Sequence, residues 1–245
     1  PLKYPELTHP KILETHKRRL KWVKKEVDRV VVPSEAIRKD VLDYGIESKK
    51  IVVIAEAPTV APSTKEMVSH IKRKYNITGR FLLSVGVNPR KNTERIIQAF
   101  EEATAEQEFK LVLLGEPSFI EIKERQGLIL PGRVSDEELP AFYTSAEALV
   151  YPSLYEGFGL PILDAFACGT PVVTSDISSM SEVGGDAAVF VDPYSVDSIA
   201  EGIRTALKNR ESLVQKGLKR VKKFSWKKTA EETLEVYEEA LSSNT

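Results

Sequence analysis

The segment 148–173 constrains the fold more strongly than any other part of this chain. Its first four residues, 148–151, are apolar and predict a short buried strand. Gly157 and Gly159 follow, and they allow the backbone to turn tightly and to approach a ligand without a β-carbon in the way. A further strand is predicted from Val172 onward. The segment is therefore typical of a strand, a glycine-rich turn, a helix and a second strand of an α/β sheet.

The glycine-rich turn leads into a helix, which we predict over residues 161–168. Pro161 suits the first turn of a helix because its missing N–H would be unbonded there, and Gly169 supplies a stop. The free N–H groups of Gly159 and Leu160 would then lie at the carboxyl edge of the sheet, where the helix dipole favours an anion. This turn is a candidate site for a phosphate or a sugar hydroxyl.

Two carboxylates, Glu156 and Asp164, lie eight positions apart around the turn. If both project to the same side, they would accept hydrogen bonds from the vicinal hydroxyls of a ribose or a hexose. Acids near a helix start are also common because they complement the dipole. The spacing alone leaves both interpretations open.

Strand patterns alternate with helical patterns along most of the chain. This alternation predicts an α/β fold with a doubly wound, parallel, Rossmann-like sheet. The predicted strands cover residues 81–86, 109–114, 128–130, 148–151, 171–174 and 188–191. Ser195 is expected to cap a helix that runs to residue 208, and further helices are predicted over residues 210–221 and 226–241.

Composition excludes several classes of protein. The 245 residues include 35 basic and 36 acidic side chains, so the chain lacks the positive field that a nucleic-acid-binding protein needs. The histidines and Cys168 show no metal-ligand spacing, and no stretch approaches the roughly 18 apolar residues of a membrane helix. One cysteine excludes an intrachain disulfide. We expect no metal, no nucleic-acid partner and, without a recognisable signal peptide, a cytoplasmic location.

Two basic runs, residues 17–25 and 216–228, stand out from this balanced charge. In the first run, Leu20, Val23 and Val27 fit one helical face, so a solvated amphipathic helix is the favoured interpretation. The alternative is a basic helix that rests against the anionic inner face of a membrane.

Basic residues also follow the strand predicted over residues 81–86. Arg90 and Lys91 come just before Asn92 or Thr93, either of which would cap the next helix. Ligands bind at the carboxyl ends of strands in open α/β sheets, and a guanidinium with an ammonium suits a diphosphate. A solvated surface pair is the alternative.

These segments occur in the order shown by a known enzyme family. Residues 156–161 (Glu-Gly-Phe-Gly-Leu-Pro) and 167–173 resemble the donor-site signature of retaining glycosyltransferases of the GT-B fold, family 4 (glycosyl transferases group 1). The resemblance covers nearly all of residues 30–237. Its other ordered segments are Ser84-Val85-Gly86, Arg90-Lys91-Asn92, Leu113-Leu114-Gly115, residues 131–139, residues 151–155 and Ser181-Glu182-Val183.

The resemblance implies roles for individual residues. Glu156 would contact the hydroxyls of the donor sugar and Asp164 those of the ribose, although the family has Glu where this chain has the shorter Asp164. The family's arginine often follows the glycine directly, at the place of Val87. Lys91 matches the family's lysine, and Arg90 replaces its arginine from a shifted position. Arg90, Lys91 and Glu156 are the implied catalytic residues.

Further contacts with the donor are implied around these three residues. In the family, the turn at Arg133 lies beside the base, so Arg133 would stack on the base or meet a phosphate. A surface arginine in a loop before a helix capped by Ser135 and Glu138 is the alternative. The implied donor-binding set is Gly86, Gly115, Arg133, Val134, Gly157, Phe158, Gly159, Leu160, Asp164 and Glu182. No metal or other cofactor is implied, because the basic pair takes the metal's role.

The amino-terminal elements resemble the last units of the family's acceptor-binding domain. They are a helix over 11–27, a strand over 29–32, a capped helix over 34–44 and a strand over 51–54. The resemblance thus implies one GT-B half-domain with a remnant of the N-terminal domain: remnant and crossover 1–55, nucleotide-sugar-binding domain 56–224 and C-terminal helix 225–245. A lone strand over 30–32 cannot hide its edges, so we expect residues 1–55 to pair with a partner chain, to self-associate or to pack on their own helices.

The resemblance implies a hexosyltransferase of carbohydrate biosynthesis. It would transfer a hexose from a nucleoside diphosphate sugar, with UDP, GDP and ADP all open, to a glycan, lipid or small-molecule hydroxyl with retention of configuration. The leaving diphosphate, stabilised by Arg90 and Lys91, is the implied base. The alternative from another class is a nucleotide-sugar-binding module that is inactive without a complementary acceptor domain.

Overall fold

The computed structural model describes residues 2–105 and 107–242, and the chain divides into two compact units. The smaller unit comprises residues up to Ala57 together with those from Phe224 onward, and the larger unit comprises Pro58–Lys223. The strands are β1 Val30–Val32, β2 Ile51–Val53, β3 Arg80–Val87, β4 Phe109–Pro117, β5 Leu128–Gly132, β6 Ala148–Tyr151, β7 Val172–Ser175 and β8 Ala188–Val191. The α-helices are α1 Pro10–Glu26, α2 Glu35–Asp43, α3 Lys65–Lys74, α4 Thr93–Ala103, α5 Leu139–Ser145, α6 Leu160–Ala167, α7 Met180–Gly184, α8 Val196–Lys208, α9 Arg210–Val221 and α10 Trp226–Ser242.

The larger unit is built on a six-stranded sheet in the order β5-β4-β3-β6-β7-β8. Every neighbouring pair in it runs parallel, which confirms the predicted doubly wound α/β sheet. The chain moves outward from β3 to β5 and then returns to the other side of β3 with β6. The strand order therefore reverses between β3 and β6, and the carboxyl ends of these two strands flank the crevice where such sheets bind ligands.

Helices cover both faces of this sheet. On one face α4 and α8 pack against each other, with Ile96, Phe100, Ile199 and Ile203 in the core. A spacing of four residues within each pair places these side chains on one side of each helix. Helices α5, α6 and α9 form a second connected layer, and right-handed crossovers place it on the opposite face once the strand order has reversed.

The structure confirms some of the predicted helix caps and contradicts others. The Ser195 hydroxyl accepts a hydrogen bond from the Ser198 N–H at 3.1 Å and so caps α8 as predicted. Ser135 and Glu138 exchange the two bonds of a capping box, at 3.3 and 3.4 Å, although the α-helix begins only after them. Asn92 is different: it precedes α4 in the left-handed conformation and makes no side-chain cap. The prediction that Asn92 or Thr93 caps α4 is wrong, because the Asn92 side chain is engaged elsewhere and the Thr93 hydroxyl bonds to the Asn88 backbone.

The smaller unit contains a two-stranded parallel sheet of β1 and β2, in which Val31 lies opposite Val52. The expectation of a lone strand over 30–32 is therefore wrong, since β2 supplies a partner from the same chain. Val32, Ile46 and Ile51 form its core, against which the apolar face of α1 packs through Leu20 and Val23. Within the described residues, no helix combines the length and the apolar character needed to cross a membrane.

Candidate functional site

Two loops meet where the strand order reverses. The loop after β3 carries Arg90, and the loop after β6 carries Glu156. The Leu154 N–H donates to the Arg90 carbonyl at 2.9 Å, and the Asn92 side-chain amide donates to the Pro152 carbonyl at 3.1 Å. These bonds fix the two loops to each other, which explains why Asn92 is not available to cap α4.

The three residues predicted to be catalytic form one ion cluster in the crevice. The Glu156 Oε1 lies 2.8 Å from the Lys91 Nζ and 3.0 Å from the Arg90 Nη1. The same Arg90 Nη1 donates to the Tyr155 carbonyl at 2.6 Å. Glu156 is only 8% exposed. Residues that lie up to 66 positions apart in sequence are thus brought within hydrogen-bonding distance.

Burial and charge act in opposite directions in this cluster. Burial alone would raise the pKa of Glu156, but Lys91 and Arg90 outweigh it and hold the pKa below its ordinary value. Burial lowers the pKa of Lys91, and the nearby Glu156 carboxylate only partly opposes that shift. Glu156 is therefore ionised at neutral pH, and the charge of Lys91 depends on its neighbours.

Tyr151 contacts Lys91 in two ways that the sequence analysis did not foresee. Its hydroxyl accepts a hydrogen bond from the Lys91 ammonium, which also lies 4.4 Å from the centre of the tyrosine ring. Burial raises the pKa of Tyr151 well above its ordinary value, so the hydroxyl stays neutral. The sequence signal for this contact was a tyrosine, with its polar hydroxyl, at the last position of a buried strand and directly before the loop that carries Glu156.

Asp164 lies in α6, is 4% exposed, and is held by Thr59. Its Oδ1 accepts from the Thr59 N–H at 2.6 Å, and the Thr59 hydroxyl lies 3.0 Å from Oδ2. Burial raises the pKa of Asp164, and the hydrogen bonds from Thr59 partly offset this. A ribose would have to share this carboxylate with Thr59, so the ribose contact stays a prediction.

Gly86 and Gly115 lie side by side near the ends of β3 and β4. Both have positive φ, 88° and 115°. A β-carbon on Gly86 would come within 3.0 Å of the Lys91 side chain, and one on Gly115 would lie 3.5 Å from the Gly86 Cα. Glycine at these positions lets Lys91 lie against the end of β3.

The predicted anion site at the start of α6 has the expected backbone. Gly157 and the buried Phe158 precede Gly159, whose φ of 109° gives the turn that starts the helix. Within the described residues, the N–H groups of Gly159 and Leu160 have no protein acceptor. Two amides at a helix start are suited to a phosphate oxygen.

The remaining predicted residues lie further out on the larger unit. Arg133 is exposed after β5, and its N–H donates to the Glu116 Oε1 at 3.3 Å, with Val134 half-buried beside it. Glu182 is exposed on α7, and its carbonyl accepts from the Arg220 guanidinium. Among the residues that the structure describes, no cluster of three or more His, Cys, Asp or Glu side chains could hold a metal ion.

Doubly wound sheets bind their ligands at the switch point, and in this chain Arg90 and Lys91 lie there. The family model described as glycosyl transferases group 1 matches residues 68–224. The chain belongs to the glycosyl transferases group 1 family, as the sequence resemblance predicted.

Two relatives and one solved structure place the chain within that family. It is 38% identical over 220 residues to O-antigen chain mannosyltransferase B of Escherichia coli, a match covering 83% of this chain and 57% of the relative. It is 31% identical over 239 residues to a serotype-specific mannosyltransferase WbdA of Escherichia coli, covering 89% of this chain and 29% of the relative. The structure of Anabaena Alr3699/HepE in complex with UDP and glucose matches with a TM-score of 0.80 at 14% identity, covering 96% of this chain and 69% of that chain. The chain thus spans 57% of the length of the first relative and 29% of the second. The structural likeness confirms the predicted fold of a GT-B half-domain.

Proposed function

We propose that the protein represented by this chain transfers a hexose from a nucleoside diphosphate sugar to a hydroxyl acceptor, with retention of configuration. The observation that carries this proposal is the meeting of Arg90, Lys91 and Glu156, with both cations within 3.0 Å of the carboxylate. The cations suit a diphosphate, and the carboxylate suits sugar hydroxyls. Membership of a glycosyltransferase family supports the same chemistry.

The central catalytic task is to stabilise negative charge on the leaving diphosphate. A guanidinium has five N–H donors, and the recorded bonds of Arg90 use Nη1 only, so Nε and Nη2 would be the groups that donate to the diphosphate. Lys91 and the amides of Gly159 and Leu160 add further stabilisation. The leaving diphosphate then takes the proton of the incoming hydroxyl. This route uses no metal, because the two cations take the metal's role.

The relatives narrow the substrates that we propose. Both are named mannosyltransferases, and one is named for the O-antigen chain, so we propose mannose as the transferred sugar and a growing glycan as the acceptor. The HepE complex holds UDP and glucose, so UDP-glucose is the alternative donor to test. We place the reaction in the cytoplasm, where nucleotide sugars are made.

Product analysis tests this proposal. The chain is incubated with each nucleoside diphosphate hexose and a glycan acceptor, and the anomeric configuration of the product is read by NMR. A product with the configuration of the donor sugar supports retaining transfer. An inverted product contradicts retention, and hydrolysis or phosphorolysis contradicts transfer.

The second candidate is a nucleotide-sugar-binding module that needs a complementary acceptor domain. It is favoured by the extent of the match, since the chain spans 57% and 29% of the two mannosyltransferases. This candidate would be supported if the chain binds the nucleotide sugar tightly without transferring the sugar, and if transfer appears once an acceptor domain is supplied.

A further inference from the structure

The loop after β6, which carries Glu156, is held by a row of side-chain hydroxyls from β7 and the loop that follows it. Thr174 lies opposite Tyr151 in the pairing of β6 with β7, and its hydroxyl donates to the Tyr151 carbonyl at 2.9 Å. One residue further on, the Ser175 hydroxyl donates to the Ser153 carbonyl at 2.6 Å. These side chains satisfy backbone carbonyls beyond the point where β6 ends.

The last two hydroxyls of this row belong to Ser178 and Ser179, and they bond to the backbone of Glu156 itself. The Ser178 hydroxyl accepts a hydrogen bond from the Glu156 N–H at 3.3 Å and donates to the Glu156 carbonyl at 2.7 Å. Ser179, which is fully buried, donates to the same carbonyl at 3.1 Å. Because one hydroxyl contacts both polar backbone groups of Glu156, it restrains the rotation between them. The direction in which the carboxylate side chain leaves the backbone is restrained with it.

Ser178 has a backbone conformation that stability alone does not favour. Its φ is 56°, in the left-handed region, which is unfavourable for L-residues other than Gly, Asn and Asp. The free-energy cost of this conformation is of the same order as the net gain from a hydrogen bond. A glycine would adopt the turn without that cost, and the Glu156 carbonyl would keep Ser179 as a donor. The serine hydroxyl therefore has a use beyond closing the turn, and strained residues are concentrated at functional sites.

The orientation of the Glu156 carboxylate matters because its two oxygens face different groups. Both recorded ion pairs of Glu156, with Lys91 and Arg90, use Oε1. Oε2 is the oxygen that would accept a hydrogen bond from the donor sugar in the proposed function. Hydrogen bonds weaken steeply with angle, so a small rotation of the Glu156 backbone would move Oε2 off a sugar hydroxyl while the ion pairs persist.

We propose that Ser178 is a positioning residue for Glu156, that Ser179 shares this role, and that the two hydroxyls set the preference for a nucleotide sugar over the bare diphosphate. This inference rests on the proposed function, because it takes Glu156 to contact the donor sugar. The serines act through Glu156 and do not themselves bind the sugar. The affinity for the bare diphosphate should change little, since Arg90 and Lys91 belong to the loop after β3.

Three substitutions at Ser178 separate positioning from stability. Ser178→Gly removes the hydroxyl and relieves the backbone, whereas Ser178→Ala removes the hydroxyl and keeps the strain. Ser178→Thr keeps the hydroxyl and increases the strain, because a β-branched residue is strongly disfavoured at positive φ. Calorimetric titration with UDP-glucose and GDP-mannose, each against its bare diphosphate, measures the preference, and thermal unfolding measures the melting temperature.

The preference should follow the hydroxyl and not the melting temperature. We expect the Gly and Ala variants to lose about fivefold in preference, and the Thr variant to keep it. The melting temperatures of the Ala and Thr variants should lie below that of the Gly variant. Ser179→Ala leaves the strained residue untouched and should also lower the preference, which keeps the proposal testable if a Ser178 variant fails to fold.

Asn76→Gly is the matched control. Asn76 also has a positive φ, 52°, but it is exposed after α3, and its replacement should leave the preference unchanged. An unchanged preference in Ser178→Gly, or a preference that falls in step with the melting temperature across the three variants, would overturn the positioning role alone. If the unaltered chain itself showed no preference, the proposed contact of Glu156 with the sugar would be contradicted, and the positioning role would fall with it.

Discussion

The two units of this chain bury their sheets to very different extents. The larger unit covers both faces of a six-stranded sheet, and Leu82, Leu111 and Leu149 are fully buried in it. The smaller unit has a two-stranded sheet, and Val31 in the middle of β1 is 45% exposed. A short two-stranded sheet is only marginally stable by itself, whereas a wide covered sheet is rigid. The larger unit is therefore the more rigid frame, and it holds the ion cluster of Arg90, Lys91 and Glu156.

The placement of charge follows the same difference. In the larger unit, Glu156 and Lys91 are held in a buried cluster in which each side chain has fixed partners. In the smaller unit, the cations of α1 are exposed. Buried charges need defined partners because desolvation is costly, and exposed charges act together through a field. The buried arrangement suits a small anion such as a diphosphate.

The largest expected effect is on the free energy of unfolding, and it tests the difference in burial between the two units. Leu149→Ala should lower the free energy of unfolding of the larger unit by about 3 kcal/mol, because it leaves a cavity in a fully packed sheet. The control Leu234→Ala lies in α10 of the smaller unit at 55% exposure and should cost less than about 0.5 kcal/mol. Urea unfolding of both variants measures this, and similar losses would contradict the comparison.

The next effect tests the role of the buried cation. Lys91→Ala should weaken binding of the nucleoside diphosphate by about 100-fold, because it removes a charge-assisted contact in a partly desolvated site. Binding of the nucleoside should hardly change. Calorimetric titration with both ligands measures this, with the exposed Lys123→Ala as the control. Equal losses for nucleoside and diphosphate would contradict the phosphate assignment.

Glu156→Ala is expected to have a smaller and more selective effect. The preference for nucleotide sugar over the bare diphosphate should fall by about tenfold, because the sugar hydroxyls lose a charged acceptor. The bare diphosphate should bind at least as well, since Arg90 and Lys91 lose a competing anion. Competitive titration of the two ligands measures the preference, with Glu124→Ala as an exposed control. An unchanged preference would assign Glu156 a structural role only.

The smallest effect concerns Tyr151 and appears as a change in pH dependence. Burial lowers the pKa of Lys91, so diphosphate affinity is complete below that pKa and is lost as the pH rises through it. Tyr151→Phe removes an acceptor that stabilises the ammonium, so the loss should begin at a lower pH. Titrations at increasing pH measure this shift. Tyr143→Phe is an equally buried control, and a drop that is the same at every pH would argue against a positioning role.

Much of the fold could be predicted from local patterns. Short apolar runs gave the strands, as in the agreement of the 148–151 prediction with β6, and Ser195 marked the start of α8. The strand order and the pairing of β1 with β2 could not be predicted this way. They depend on which distant segments bury each other, and Val30 and its partner Ile51 are far apart in sequence.

The candidate site was predictable to a similar degree. Arg90, Lys91 and Glu156 were identified because their motifs resemble a family signature, and the structure brings them together. Tyr151 and Thr59 were missed because their contacts join residues 60 and 105 positions apart. The polar tip of Tyr151 at the end of β6 is visible in the sequence, but neither it nor Thr59 shows locally which charged group it contacts.

Calorimetric titration of the unaltered chain tests the central claim most directly. UDP, GDP and ADP are each compared with their nucleoside in the presence of a metal chelator. The claim that Arg90 and Lys91 hold a diphosphate at the switch point predicts that one diphosphate binds about tenfold or more tightly than its nucleoside without metal. Equal affinity of diphosphate and nucleoside, or binding that appears only when a divalent metal is added, would contradict it.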